Sequence, residues 1–152
     1  MAYTTIDDPS EYFQTAIYTG NASTLAVTSQ GNADITPDWI WIKRRSADST
    51  HALFDSTRGR AKSSGSEAVD TEFNSPSDKD LISFNANGFT VGPANQRNTN
   101  GNNETFVAWQ WAANGGTTAT NDASSTSIGS IDSVIQANTD AGFSVVTWTG
   151  TG

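Results

Sequence analysis

Asp55, Arg58 and Gly59 fall together in FDSTRG, residues 54–59. A carboxylate and a guanidinium three residues apart across a turn can pair, and the carboxylate can also accept from the turn's backbone N–H groups. Ion pairs of this kind most often stabilise loops, so the trio reads as a structural turn. His51 is the only histidine. A histidine base needs a nucleophile and an orienting carboxylate. Asp55 is close in sequence, but the chain has no G-x-S-x-G elbow. A hydrogen-bonded turn or strand histidine is expected instead. One His and no Cys exclude the usual zinc sets.

The stretch NTNGNNE, residues 98–104, gathers side-chain oxygens around a glycine, as a calcium loop does. Only Glu104 is charged there, so a plain loop is expected. A glycosidase needs two carboxylates facing each other across a cleft. The chain holds sixteen acids, and their spacing singles out no pair. No catalytic residue, metal or cofactor is assigned.

Tryptophans 39, 41, 109, 111 and 148 are a heavy load for 152 residues. They read first as packing between sheets. Trp39, Trp109 and Trp111 are also candidates for stacking on sugar rings, which would require an exposed ring beside Asn or Asp on a concave face. Lys43, Arg44, Arg45, Arg58, Arg60 and Lys62 form a candidate partner-facing basic patch. Six bases against Asp48 and Asp55 give residues 43–62 a charge of +4, which leaves −12 for the rest of a chain whose net charge is −8. Such a lopsided field can orient a partner; local ion pairing on a solvated face is the simpler reading.

The elements that must carry these residues are strands. WIWIK places Trp39, Trp41 and Lys43 on one face and Ile40, Ile42 and Arg44 on the other. Apolar residues on both faces predict a central strand covered on both sides. TFVAWQWAA separates Val107, Trp109 and Trp111 from Phe106, Ala108 and Gln110. YFQTAIYTG, STLAVTS and HALFDS are further β-prone runs, and LISFNANGFTVG is a hairpin turning at Asn87-Gly88. Residues 57–78 lose the pattern and read as a long surface loop, with a short helical piece near SEAVD. SIDSVIQAN fits a strand or a turn of helix. Short strands, many turn signals and no sustained helical period predict an all-β, antiparallel two-sheet sandwich with long surface loops.

Composition sets outer limits. A chain of 152 residues suits one domain and can bury ~70% of its unfolded surface without disulfides. The net charge of −8 argues against general nucleic-acid binding. No apolar run approaches the ~20 residues needed to span a bilayer, so membrane insertion is not expected. No signal peptide is recognisable, and the chain reads as soluble.

The stretch GFSVVTWTGTG, residues 142–152, echoes YFQTAIYTGNA, residues 12–22. An offset of 130 places Phe13 on Phe143, Tyr18 on Trp148, Thr19 on Thr149 and Gly20 on Gly150. The expected organisation is an N-terminal arm (1–11), a sandwich (12–113), a Ser/Thr/Gly-rich linker (114–127) and a final segment (128–152). That last segment is either the closing strand of the sandwich or the start of a second repeat.

PDWIWIKRR, HALFDSTRG, LISFNANGFTVG and FVAWQWAA occur in that order. With YFQTAIYTGN they resemble a repeated β-domain of structural proteins of marine tailed phages. The resemblance covers roughly residues 1–113, with a restart at 142–152. It implies a concanavalin-like or jelly-roll sandwich in a non-enzymatic virion protein, a tail fibre or spike module for assembly and host adhesion. It also implies other virion proteins as partners, a homo-oligomer such as a trimer, and a host-surface glycan as a possible ligand. A capsid decoration protein is the first alternative, and a glycan-binding or glycan-cleaving module the second. The resemblance supplies no catalytic residue.

Overall fold

The computed structural model describes residues 6–66 and 71–152. They form an antiparallel β-sandwich with a third, smaller sheet attached. The strands are β1 Phe13–Thr19, β2 Leu25–Val27, β3 Trp39–Arg44, β4 Ala52–Asp55, β5 Lys62–Gly65, β6 Phe73–Asn74, β7 Leu81–Asn85, β8 Gly88–Val91, β9 Thr105–Trp111, β10 Ala119–Asn121, β11 Ser133–Asn138 and β12 Phe143–Trp148. A 3₁₀ turn, Pro9–Glu11, precedes β1, and a four-residue helix, α1 Ala123–Thr126, follows β10.

The large sheet runs β1-β9-β3-β4-β5-β6, and the small sheet facing it runs β2-β8-β7. Strand alternation sorts the side chains. Ile40 and Ile42 of β3, Phe106 and Ala108 of β9, Ala16 of β1, and Ala52 and Phe54 of β4 point inward. They meet Val27, Leu81, Phe89 and Val91 of the small sheet in one core. Alanines set among phenylalanines let the two faces interdigitate at native density. Gln110, also inward, is satisfied in part by the Ser29 hydroxyl, which donates to its Oε1 at 3.2 Å.

The β7–β8 hairpin turns through Ala86 and Asn87. Positive φ falls on Gly88 alone (98°), where a Cβ would collide with the Val27 carbonyl. Only glycine fits that close approach to β2.

Two stretches differ from the sequence expectation. The tract 57–78 is not one long loop, because β5 and β6 extend the large sheet there. These strands carry Ser63, Ser64 and Asn74 in place of an apolar alternation. Ladder hydrogen bonds hold such strands, so periodicity does not reveal them. The helical piece expected at SEAVD lies, apart from Ser66, outside the described residues. The tract 114–127 contains β10 and α1, and β10-β11-β12 make the third sheet. SVIQAN is strand, not helix.

The core ranking is testable. Phe54 and Phe89 are both fully buried. Truncation of either to alanine should cost about 3–5 kcal/mol, read as a lower urea midpoint with an unchanged slope.

Candidate functional site

A buried carboxylate fixes the point where the chain leaves the sandwich for the third sheet. Asp38, just ahead of β3, is 1% exposed. Its Oδ2 accepts from the backbone N–H of Ala113 (2.7 Å) and Gly115 (2.9 Å), and its Oδ1 from Gly116 N–H (3.0 Å) and the Ser56 hydroxyl (2.7 Å). These peptides are where the chain leaves β9 for the third sheet. Ser56 in turn accepts at 2.9 Å from the Nε2 of Gln136, a fully buried residue of β11. A carboxylate is acceptor-only and offers about four lone-pair positions, which matches four converging donors.

The outer face of the large sheet carries the tryptophans. Phe143, the first residue of β12, stacks on Trp39 (ring centroids 5.6 Å apart, 16° between planes) and on Trp111 (5.9 Å, 20°). Phe13 packs on Trp111 from the β1 side at 4.8 Å. Further along the face, Trp41 meets Trp109 edge-on, and its indole N–H donates to His51 Nδ1 at 2.7 Å. Trp39, Trp109 and Trp111 are therefore half-buried members of a ring cluster.

Beyond Phe143, β12 stands away from the sheet and leaves a groove of about 450 Å³. Trp39, Leu53, Asp55, Arg58 and Ser64 line one wall, and residues 144–148 line the other. Among the described residues β12 pairs only with β11, which leaves its other edge open. Phe143, Val145 and Thr147 are half-buried, whereas Ser144, Val146 and Trp148 are exposed. Val146 is 40% and Trp148 66% exposed, high for apolar side chains on adjacent positions of one strand face.

The remaining sequence candidates sit as follows. Arg58 Nε lies 2.6 Å from Asp55 Oδ2, and Asp55 Oδ1 accepts from Arg58 N–H at 2.8 Å. Gly59 closes this turn at φ 92°. The basic residues do not act as one free patch. Lys43 donates to the Ser49 carbonyl, Arg44 pairs with Glu104 at 2.7 Å, and Arg60 donates to the carbonyls of Pro76 and Leu81. Arg58 and Lys62 both hold Glu72 at 2.9 Å. Arg45 is exposed. In the 98–104 loop, Glu104 receives Asn98 Nδ2 at 2.7 Å as well as Arg44. Asn100 is fully buried there and ties the β1–β2 turn through Asn21. Among the described residues, no three His, Cys, Asp or Glu cluster as a metal site would require, and no helix is long and apolar enough to cross a membrane.

A family model described as "Domain of unknown function (DUF7483)" matches residues 8–152. The chain belongs to the DUF7483 family. Its match takes in the sandwich, the Asp38 joint and the third sheet together. No curated protein and no solved structure matches the chain.

Sequence reasoning missed Asp38 and Gln136, and it did not anticipate a groove. One signal for the groove was present: FSVVTW is apolar on both faces, and a strand of that kind calls for cover on both. Asp80 and Arg97 were missed as well. Both are buried, and burial pushes the Asp80 carboxyl up, against the opposing pull of Ser75 Oγ, the Asn95 N–H and Arg97. Burial likewise drives the Tyr18 phenol far above its ordinary range; its hydroxyl donates to the Thr99 carbonyl at 2.7 Å.

Two outcomes follow for this DUF7483 domain. Asp38→Ala strips four donors of their acceptor and should cost at least about 3 kcal/mol, with faster amide exchange at residues 113, 115 and 116. Glu72 is held below the usual glutamate range by Lys62 first and then Arg58. Stability from a lowered carboxylate is present above its unfolded range and is lost as pH falls through its folded value. Glu72→Gln should therefore lower stability slightly at neutral pH and flatten the acid limb of a stability–pH profile by the same small amount, the two proteins converging in acid; the effect is small because the group is largely solvated.

Proposed function

We propose that this domain is a non-enzymatic structural module of a phage particle, of the tail fibre or spike type, that assembles through a strand edge. The observation carrying the reading is the open edge of β12 above its groove, with Val146 and Trp148 exposed on the adjoining face. An unpaired edge beside apolar side chains is a template for strand addition, in which main-chain bonds supply affinity and side-chain contacts supply register. The sequence resemblance to phage structural proteins supports the same reading. So does the groove's chemistry: among the described residues its lining holds one carboxylate, Asp55, which Arg58 already engages. Partners on this reading are other virion proteins and further copies of the chain, a symmetric trimer included, with the virion as its location.

The test is incorporation. In the double variant Val146→Lys/Trp148→Lys, both changes fall on exposed positions, so folding should persist while incorporation into particles falls to background. Incorporation at normal copy number would defeat the reading. Density for the chain in an image of the whole particle separates an appendage from capsid decoration.

A second reading has one observation behind it. Trp148, 66% exposed, stands at the mouth of the groove whose far wall holds Arg58, Asp55 and Ser64, a setting that suits stacking on a glycan. A glycan-array signal lost in Trp148→Ala would favour it, and a blank array would eliminate it.

A further inference from the structure

β1 and β12, related by the 130-residue offset, have opposite burial. In β1 the inward residues are Gln14, Ala16 and Tyr18, while Phe13, Thr15 and Ile17 face out. Tyr18 stacks on Phe106 at 5.1 Å and meets Phe89 edge-on at 6.0 Å. The offset maps these inward positions onto Ser144, Val146 and Trp148, the three exposed positions of β12. It maps the outward positions onto Phe143, Val145 and Thr147, the face β12 turns toward its own sandwich.

From this match we infer that β12 is a shared strand. One face covers the tryptophans of its own sandwich, and the other is the inner face of the first strand in a second copy of this domain. The two demands do not conflict, because each uses the face the other leaves free. The edges allow it as well: among the described residues, β12 is paired on one side only. In the second copy its partner is that copy's β9, in the register β1 uses. Thr147 then opposes Val107 as Ile17 does, Val146 opposes Ala108, and Trp148 opposes Phe106 and stacks where Tyr18 stacks. A Tyr-to-Trp exchange keeps the aromatic contact. The occupant of the exposed face is thus the body of a second copy, whose sheet and core bury Val146 and Trp148. This inference rests on the assembly reading and names its partner.

The experiment keeps the full 152-residue chain and joins residues 23–152 of a second copy directly after Gly152, so that residues 143–152 stand in for the missing 13–22. The added copy is expected to fold and resist protease. With Thr147→Cys in the first copy and Val107→Cys in the added one, a disulfide should close; the chain has no cysteine of its own to confuse the result. Pairing Thr147→Cys with Thr105→Cys of the added copy, two residues out of register, should not close. Trp148→Lys should unfold the added copy and leave the first copy's unfolding midpoint unchanged, since Trp148 is exposed there. A companion fusion adding residues 12–152 supplies its own first strand and shows that the added copy is competent to fold. Protease lability of the 23–152 fusion beside a stable companion overturns the inference, as does indifference of the added copy to Trp148→Lys. Particle incorporation is read separately, so a failure of strand sharing is distinct from a failure of the assembly reading.

Discussion

Asp38 sits where three parts of the molecule meet, and its carboxylate is the acceptor that joins them. Three backbone N–H groups from residues 113–116 and one hydroxyl converge on it. Buried donors without partners are costly, so these peptides take one conformation and not many. That conformation sets the direction in which the chain departs from β9. Ser56 then relays the joint to Gln136, which is fully buried and belongs to the third sheet. This relay and the stacking of Phe143 on Trp39 and Trp111 both tie β10-β11-β12 to the sandwich.

Hydrophobic burial completes what the carboxylate directs. The outer face of the large sheet is rich in indole rings, which a lone sandwich would leave in water. Phe143 covers Trp39 and Trp111 at one end of that face. Because β12 touches the sheet mainly through that end, the rest of the strand stands over a groove and keeps one edge and one face free. On the proposed reading, a strand in this posture recognises another strand. Its nearest carboxylate, Asp55, spends both oxygens on the Arg58 turn.

Charge tells a similar story at smaller scale. The basic segment 43–62 appears in the sequence as a block opposed by a distant acidic remainder. Folding brings the acids to it: Glu104 reaches Arg44, and Glu72 reaches both Arg58 and Lys62. The field at this surface is correspondingly more local than the linear charge pattern suggests.

Much of the sandwich was legible because period-two alternation is a local property. WIWIK and TFVAWQW announce their inward and outward faces residue by residue, and the hairpin expected at Asn87-Gly88 forms one residue earlier, turning through Ala86 and Asn87 with Gly88 already in β8. β5 and β6 were not legible, because serine-rich edge strands are held by ladder bonds to neighbours that only the fold supplies. The repeat echo at an offset of 130 is also written in the sequence, and so is the two-sided apolar character of FSVVTW. Tertiary structure alone decided which face of β12 is covered and which is open. That choice turns on long-range contacts, Asp38 with residues 113–116 and Phe143 with Trp39, between segments about 75 to 100 residues apart, and no local pattern encodes such a distance.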